Sequence, residues 1–170
     1  MDLASLIRTI PDFPKPGIQF KDITPLLAVP EAFQETIRLM MHHYEHRVID
    51  AISAAEARGF LFAAPLACYM KKPLVPLRKP GKLPYQTHKF QYDLEYGQAE
   101  LHVHIDGFKP GAQVLLVDDL LATGGTLEAA CKLIERAGAR VASCAVLVEL
   151  EFLNGRAKLQ PHEVFSLIRY

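Results

Sequence analysis

Short apolar runs that alternate with helical segments are the feature of this 170-residue sequence that most limits its fold. Val141 to Val148 is too apolar to have a solvated face, and Val114 to Val117 is continuously apolar as well. Strands that are buried on both faces and separated by helices are typical of a parallel sheet covered on both sides. The remaining segments of the series are strands at Val48 to Ala54, Leu74 to Leu77 and Val164 to Ile168, and helices at Gly59 to Met70, Gly125 to Ala137 and Arg156 to Leu159.

The predicted fold is therefore α/β, with a mainly parallel five-stranded core sheet flanked by helices. A chain of this length fits one compact domain, which we assign to residues 1–170. A helix over Glu31 to His46 is expected to precede the first core strand. A shorter amphipathic helix is predicted at the start of the chain, where apolar residues at helical spacing occupy Leu3, Leu6, Ile7 and Ile10.

A different pattern separates the second and third core strands. Lys79 to His88 is rich in Pro, Gly and Lys, and it leads into two segments, Phe90 to Leu94 and Glu100 to Ile105. The second of these alternates apolar and polar residues, which indicates a half-exposed strand. We predict a hairpin arm over residues 79–106 that serves as a flexible lid, because such arms often close over active sites.

Charge and composition argue against several classes of protein. The 19 basic residues balance the 19 acidic ones, which gives no general reason to expect nucleic acid or an anionic membrane as a partner. The start of the chain lacks the features of a signal peptide, and the longest apolar run, Phe60 to Met70, is too short to span a bilayer. The odd number of cysteines indicates free thiols in a reducing compartment. We expect a cytoplasmic protein.

The most informative segment runs from Val114 to Thr126. Its apolar strand leads directly into Asp118 and Asp119, then into a turn of small residues and a helix. A helix that begins at Gly124 presents unpaired N–H groups and a positive dipole end to an anion such as a phosphate, while the two carboxylates can accept hydrogen bonds from sugar hydroxyls. No Lys-Ser/Thr pair follows the glycines, which excludes a P-loop. An ordinary strand-to-helix turn remains the alternative, although adjacent aspartates repel each other unless a ligand or cation compensates.

The same segment resembles the phosphoribosyl-pyrophosphate signature of type I phosphoribosyltransferases, in a form close to that of adenine phosphoribosyltransferases. The likeness extends over nearly the whole chain. Residues 13–27 look like the adenine-specific N-terminal segment, and residues 56–62 resemble the pyrophosphate loop. Residues 78–84 and 94–97 look like the base and the tip of the flexible loop. The resemblance implies the type I fold, with residues 1–30 forming an N-terminal hood that recognises the base, and a homodimer.

The reaction implied by the resemblance transfers the 5-phosphoribosyl group from phosphoribosyl pyrophosphate to adenine, giving AMP and pyrophosphate. Two alternatives stay open: a phosphoribosyltransferase for a 6-oxopurine base, and a non-catalytic sensor of phosphoribosyl pyrophosphate. The implied cofactor is Mg²⁺, which would bridge pyrophosphate and ribose oxygens and needs few protein ligands. No residue is assigned as a direct metal ligand.

The resemblance also assigns roles around phosphoribosyl pyrophosphate. Asp118 and Asp119 would hold the ribose hydroxyls, and Arg58 would supply charge and hydrogen-bond donors to the departing pyrophosphate. Glu56 and Ala57 belong to the pyrophosphate loop, where a cis peptide between them is expected. The residues implied to cradle the 5′-phosphate are Ala122, Thr123, Gly124, Gly125 and Thr126.

Further roles concern the lid and the base. Arg78 and Lys82 would reach the pyrophosphate from the lid. Glu95 would handle a proton near purine N7, which requires a raised pKa. Backbone groups around Lys21 would distinguish a 6-amino from a 6-oxo group, and Phe20 is a candidate contact for the base.

Overall fold

The computed structural model describes residues 1–93 and 97–170, and its elements follow the predicted alternation of strands and helices. Short 3₁₀ helices lie at Ala4–Leu6, Glu151–Leu153 and Gly155–Leu159. The α-helices are α1 (Thr24–Leu27), α2 (Pro30–Tyr44), α3 (Phe60–Met70) and α4 (Gly125–Arg136). The strands are β1 (Arg8–Pro11), β2 (Gln19–Asp22), β3 (Ala51–Ala55), β4 (Leu74–Leu77), β5 (Thr87–Asp93), β6 (Gln98–His104), β7 (Gln113–Leu121), β8 (Arg140–Glu149) and β9 (Val164–Arg169).

The central sheet has five strands in the order β4-β3-β7-β8-β9, and every neighbouring pair is parallel. The predicted α/β fold is thereby confirmed. From β3 the chain crosses to β4 at one edge, whereas from β7 it crosses to β8 on the other side. The carboxyl ends of β3 and β7 therefore form a switch point, which is where ligands bind in open sheets of this kind.

Both faces of the sheet are covered, because successive residues of β7 point to opposite cores. Leu115 and Val117 pack with α2 and α3, whereas Val114 and Leu116 pack with α4. This two-sided burial explains why the core strands are continuously apolar in sequence. In the described part of the chain, no helix is both long and apolar enough to cross a membrane.

The start of the chain differs from the prediction. A helix over Leu3 to Ile10 was expected, but only the 3₁₀ turn Ala4–Leu6 forms before the chain extends into β1. β1 pairs antiparallel with β2, with Ile10 opposite Phe20. A short apolar pattern cannot distinguish helix from strand, and the backbone hydrogen bonds to β2 decide for strand here. This hairpin lies within residues 1–30, the segment predicted to form the hood.

The predicted hairpin within residues 79–106 is present as β5 and β6, which pair antiparallel. Leu101 and Val103 of β6 are fully buried in the core that α4 also lines. Arg136 of α4 donates a hydrogen bond of 2.6 Å to the carbonyl oxygen of Lys89. The hairpin strands are thus anchored to α4, and a lid function remains a prediction.

Candidate active site

A cavity of about 290 Å³ opens at the switch point between β3 and β7. β3 pairs with β7 only as far as Val117, whereas β8 continues to pair as far as Leu121. The edge of β7 that faced β3 is therefore free beyond Val117, and the cavity lies there. Its lining consists of the loop after β3 and the segment from β7 into α4: Glu56, Ala57, Arg58, Asp118, Asp119, Leu120, Leu121, Ala122, Thr123, Gly124, Gly125, Thr126 and Leu127.

The turn from β7 into α4 has the geometry of an anion site. α4 begins at Gly125, no side chain caps its N-terminus, and Gly124 adopts a positive φ of 85°. The N–H groups of a first helical turn have no partner within the helix, and the residues at the start of α4, Gly125 to Leu127, line the cavity. The structure thus brings together all five residues that the sequence assigns to the phosphate.

Asp118 and Asp119 lie within β7 and not after it, because the strand extends to Leu121. The prediction that the strand ends at Val117 was wrong, since pairing with β8 continues past the acids. Burial raises the pKa of Asp118 well above its ordinary value, and the neighbouring Asp119 carboxylate adds to the rise. Burial also raises the pKa of Asp119, against the opposing effect of the Arg58 guanidinium.

Arg58 lies in the turn before α3 and does not open that helix, which begins at Phe60. Its Nε is 3.0 Å from Oδ2 of Asp119, although that oxygen accepts no well-aligned hydrogen bond from the described residues. The turn also contains the cis peptide expected between Glu56 and Ala57. Arg58 is thus fixed beside the acids while its side chain remains 44% exposed.

A second cavity, of about 400 Å³, lies between the hood and Arg58. Phe20 is part of its lining, and the Arg58 guanidinium lies 5.4 Å from the centroid of the Phe20 ring. Because Arg58 lines both cavities, they are adjacent. The second is mainly apolar, as small-molecule sites commonly are. Its lining residues are Ile10, Phe13, Phe20, Asp22, Ile23, Thr24 and Arg58.

Lys21 does not line either cavity with its side chain. Its ammonium donates a 3.0 Å hydrogen bond to Oγ1 of Thr9 and lies 3.7 Å from the centroid of the Tyr170 ring. The role of the Lys21 backbone, which the resemblance implies, stays a prediction. The side chain instead ties β2 to β1 and to the end of β9.

Of the two basic residues assigned to the lid, Arg78 is ion-paired beside the cavity, whereas Lys82 is exposed to solvent. Nε of Arg78 lies 3.0 Å from Oε2 of Glu56, which also accepts a hydrogen bond from the Lys79 backbone. These hydrogen bonds, led by that of Lys79, lower the pKa of Glu56. Lys82 is exposed and lines neither cavity. Glu95 lies outside the described residues.

Two glycines that received no role from the sequence are essential to this arrangement. A Cβ on Gly59 would stand 2.8 Å from the carbonyl oxygen of Val117 and 3.0 Å from Oδ1 of Asp118. A Cβ on Gly155 would overlap the carbonyl oxygen of Ala122. Both positions therefore need glycine because another backbone approaches closely. An isolated glycine in sequence gives no sign of such a contact.

Residues 22–167 match the family model of the phosphoribosyl transferase domain. The matched range includes the acids of β7, the turn into α4 and the five-stranded sheet apart from the last two residues of β9. The fold and the site together define a phosphoribosyltransferase.

Comparison with individual relatives shows which kind of phosphoribosyltransferase this chain resembles. The adenine phosphoribosyltransferase of Chloroflexus aurantiacus is 57% identical over 169 residues, which cover 99% of this chain and 98% of the relative. The one from Roseiflexus sp. is 54% identical, with the same coverage. The crystal structure of the Thermoanaerobacter pseudethanolicus enzyme superposes with a TM-score of 0.96 at 50% identity, covering 99% of this chain and 98% of that one. This chain belongs to the adenine phosphoribosyltransferase family.

Proposed function

We propose that this protein transfers the 5-phosphoribosyl group from phosphoribosyl pyrophosphate to adenine, releasing AMP and pyrophosphate. The observation that carries the proposal is a single arginine, Arg58, which lines both the anion cavity and the apolar cavity beside it. The adenine phosphoribosyltransferase of Saccharomyces cerevisiae supports this reading. It is 36% identical, superposes with a TM-score of 0.91 over 97% of this chain and 96% of its own, and was crystallised with an imino-altritol bisphosphate and adenine.

The sugar phosphate would bind in the cavity at the switch point between β3 and β7. The N–H groups at the start of α4 and the hydroxyls of Thr123 and Thr126 would hold the 5′-phosphate. Asp118 and Asp119 would accept hydrogen bonds from the ribose hydroxyls, which compensates their costly burial. This binding energy, remote from the reacting bond, fixes the anomeric carbon opposite the base.

Departure of pyrophosphate requires positive charge and hydrogen-bond donors. Arg58 would provide both from one side, and the backbone of Glu56 and Ala57 borders the same cavity. Arg78 is ion-paired with Glu56, which lines the cavity. Arg78 would reach the pyrophosphate if this ion pair opened. Lys82 would approach from the lid, as the resemblance implies.

Magnesium fits this site as a partner of the substrate. In residues 1–93 and 97–170, no group of three His, Cys, Asp or Glu side chains converges as a metal site. Mg²⁺ usually keeps several waters and binds mainly to substrate phosphates, so it needs few protein ligands, and the carboxylates of Asp118 and Asp119 lie in the lining of the same cavity. When bound, the ion would neutralise charge that develops on the leaving group.

The apolar cavity would hold adenine beside Phe20, with its edge read by backbone groups near Lys21. N9 of the base forms the new bond to C1′ with inversion, the C–O bond electrons leave with the pyrophosphate, and adenine gives up its ring N–H proton. Glu95 would hold a proton near purine N7 during this step. Closure of the lid would exclude water, which protects the oxocarbenium-like centre from hydrolysis.

We also propose a cytoplasmic homodimer. Exposed apolar side chains on one helix, Leu61 and Tyr69 of α3, support a partner surface there, because large apolar side chains are costly to leave in water. The cysteines are free, as expected in a reducing compartment.

A base panel tests the proposed function. Purified protein is incubated with Mg²⁺, phosphoribosyl pyrophosphate and labelled adenine, hypoxanthine, guanine or xanthine, and the nucleotide products are quantified. We expect AMP as the main product. Preference for a 6-oxopurine would replace the proposal with the sister activity, and binding of phosphoribosyl pyrophosphate without turnover of any base would indicate a sensor.

A further inference from the structure

The turn from β7 into α4, Ala122 to Gly125, is here called the phosphate turn. It packs against Gly155, which does not line the cavity. A Cβ on Gly124 would stand 2.6 Å from the carbonyl oxygen of Gly155, and a Cβ on Gly155 would overlap the carbonyl oxygen of Ala122. The backbones of the turn and of the 3₁₀ helix Gly155–Leu159 are therefore in direct contact. Because there is no side chain between them, a shift of Gly155 is transmitted directly to the turn.

Arg156, the residue after Gly155, forms an ion pair with Glu149 that holds the 3₁₀ helix in place. Nε of Arg156 donates to Oε1 of Glu149 at 2.9 Å, and a second guanidinium nitrogen donates to Oε2 of the same carboxylate. The third nitrogen donates to the carbonyl oxygen of Val164 at 2.6 Å. A bidentate pair of this kind fixes orientation as well as distance.

The carboxylate of this pair is itself held in place. The side chain of Glu149 is only 5% exposed, and Ser166 donates a 2.6 Å hydrogen bond to its Oε2. Glu149 is the last residue of β8 and lies in register with Leu121, the last residue of β7. The Arg156–Glu149 pair, here called the anchor, is therefore held by the sheet next to Leu121, where the phosphate turn begins.

We propose that Arg156 and Glu149 are positioning residues that hold the Gly155 backbone against the phosphate turn, so that the first N–H groups of α4 face the 5′-phosphate. Neither residue lines the cavity, so they act through the backbone and do not touch the ligand. All three guanidinium nitrogens already donate to protein acceptors. This inference rests on the proposed function, because it assumes that the turn binds a sugar phosphate.

The test is a graded series of variants at the anchor. Arg156→Met removes the pair, Arg156→Lys keeps the charge but loses the bidentate geometry, and Ser166→Ala removes one hydrogen bond to Glu149. Arg47→Met is the matched control, since Arg47 makes a bidentate pair with Glu163 that has no contact with the cavity. The readouts are kcat, the KM of each substrate, and calorimetric binding of ribose 5-phosphate alone.

We expect the KM of phosphoribosyl pyrophosphate to rise in the order Ser166→Ala, Arg156→Lys, Arg156→Met, reaching at least about 10-fold for the last, because small displacements of a positioned group have large effects. Ribose 5-phosphate binding should weaken in parallel, while the KM of adenine stays within about 2-fold. Arg47→Met should leave all of these unchanged.

Two outcomes would overturn the positioning role. One is an unchanged KM for phosphoribosyl pyrophosphate in folded Arg156→Lys and Ser166→Ala proteins, even if their melting temperatures fall, because the anchor would then be purely structural. The other is an equal increase in the KM of both substrates. Failure of the proposed function is a separate result, since it would appear in the wild-type protein as a lack of AMP formation. If Arg156→Met does not fold, the two milder variants decide the question.

Discussion

Nε of Arg58 lies 3.0 Å from Oδ2 of Asp119, so the cation of the loop after β3 is paired with a carboxylate of the adjacent strand. The side chain of Asp119 is 5% exposed, whereas that of Arg58 is 44% exposed. One side of the guanidinium is therefore held by the protein, and the other remains accessible to an anion or a base.

Replacement of this arginine tests its role at the leaving group. Arg58→Met should lower kcat/KM by about 100-fold or more, because it removes charge stabilisation where pyrophosphate departs. Initial rates at varied phosphoribosyl pyrophosphate would measure the effect. Arg38→Met is a matched control, since it breaks the exposed pair with Glu35 on α2. Near-normal turnover of Arg58→Met would remove the leaving-group role.

The half-buried acid Asp118 should illustrate a conflict between stability and function. Its folded-state pKa is raised, so the ionised form lowers the free energy of unfolding at every pH above its ordinary value of 3.8. Asp118→Asn removes that cost and should raise Tm at pH 7 by about 2–4 °C. The gain should shrink as the pH falls to 3.8 and disappear below it, because the carboxyl of the unfolded chain then becomes protonated, as it already is in the folded state.

Thermal unfolding at pH 7 and pH 4 would measure this difference, with exposed Asp106→Asn as the control. Turnover of Asp118→Asn should fall, and the double variant with Asp119→Asn should be nearly inactive but folded. A lower Tm for Asp118→Asn at pH 7 would contradict the argument from burial.

The two glycines at the start of α4 should respond differently to alanine. Apart from its chain neighbours and the backbone of its own helix, a Cβ on Gly125 would meet none of the described residues within 4 Å, so Gly125→Ala should keep its Tm. The methyl group would crowd the bound phosphate instead, and we expect the KM of phosphoribosyl pyrophosphate to rise about 10-fold, equal to ~1.4 kcal/mol. Steady-state kinetics and thermal melts together check this.

Gly124→Ala is the contrasting variant. Gly124 has a φ of 85°, and its Cβ would stand 2.6 Å from the carbonyl oxygen of Gly155. We expect a loss of about 1–3 kcal/mol in the free energy of unfolding from strain and overlap. Equal effects of the two alanines on stability would show that the described turn geometry is incorrect.

Phe20 should matter for the base and not for the sugar phosphate. Its ring lines the apolar cavity and makes an edge contact with Phe13 at a centroid distance of 5.1 Å. Stacking of a base on an aromatic ring is worth ~1–3 kcal/mol, so Phe20→Ala should raise the KM of adenine by about 10-fold or more. Phe152→Ala, at a 70% exposed site, is the control. An unchanged adenine KM would place the base elsewhere.

Replacement of Glu95 tests its predicted role in proton transfer. Glu95→Gln should lower kcat by about 100-fold, the lower range for general acid–base catalysis, with a smaller effect on adenine affinity. The kcat–pH profile should lose the limb that depends on this carboxyl. Asp93→Asn, two residues earlier in the sequence, provides a control. An unchanged kcat would refute the proton role.

Local patterns predicted where the cavity lies. Gly124 and Gly125 follow an apolar strand and precede a helix, which predicts an anion-binding turn, and the structure places both residues in the cavity lining. The end of β7 was misplaced because carboxylates are unusual inside a buried strand. Here the strand continues past them since β8 still supplies hydrogen-bond partners as far as Leu121.

By itself the sequence determined the parallel sheet, the phosphate turn and the paired acids, because apolar runs, glycines and adjacent carboxylates act over a few residues. Tertiary structure alone decided that Arg58 meets Asp119 and Phe20, that Lys21 lies over Tyr170, and that Gly155 supports the turn. These contacts join segments that are distant in the chain, and their distances depend on how the sheet, helices and hood pack together. No local pattern contains that information.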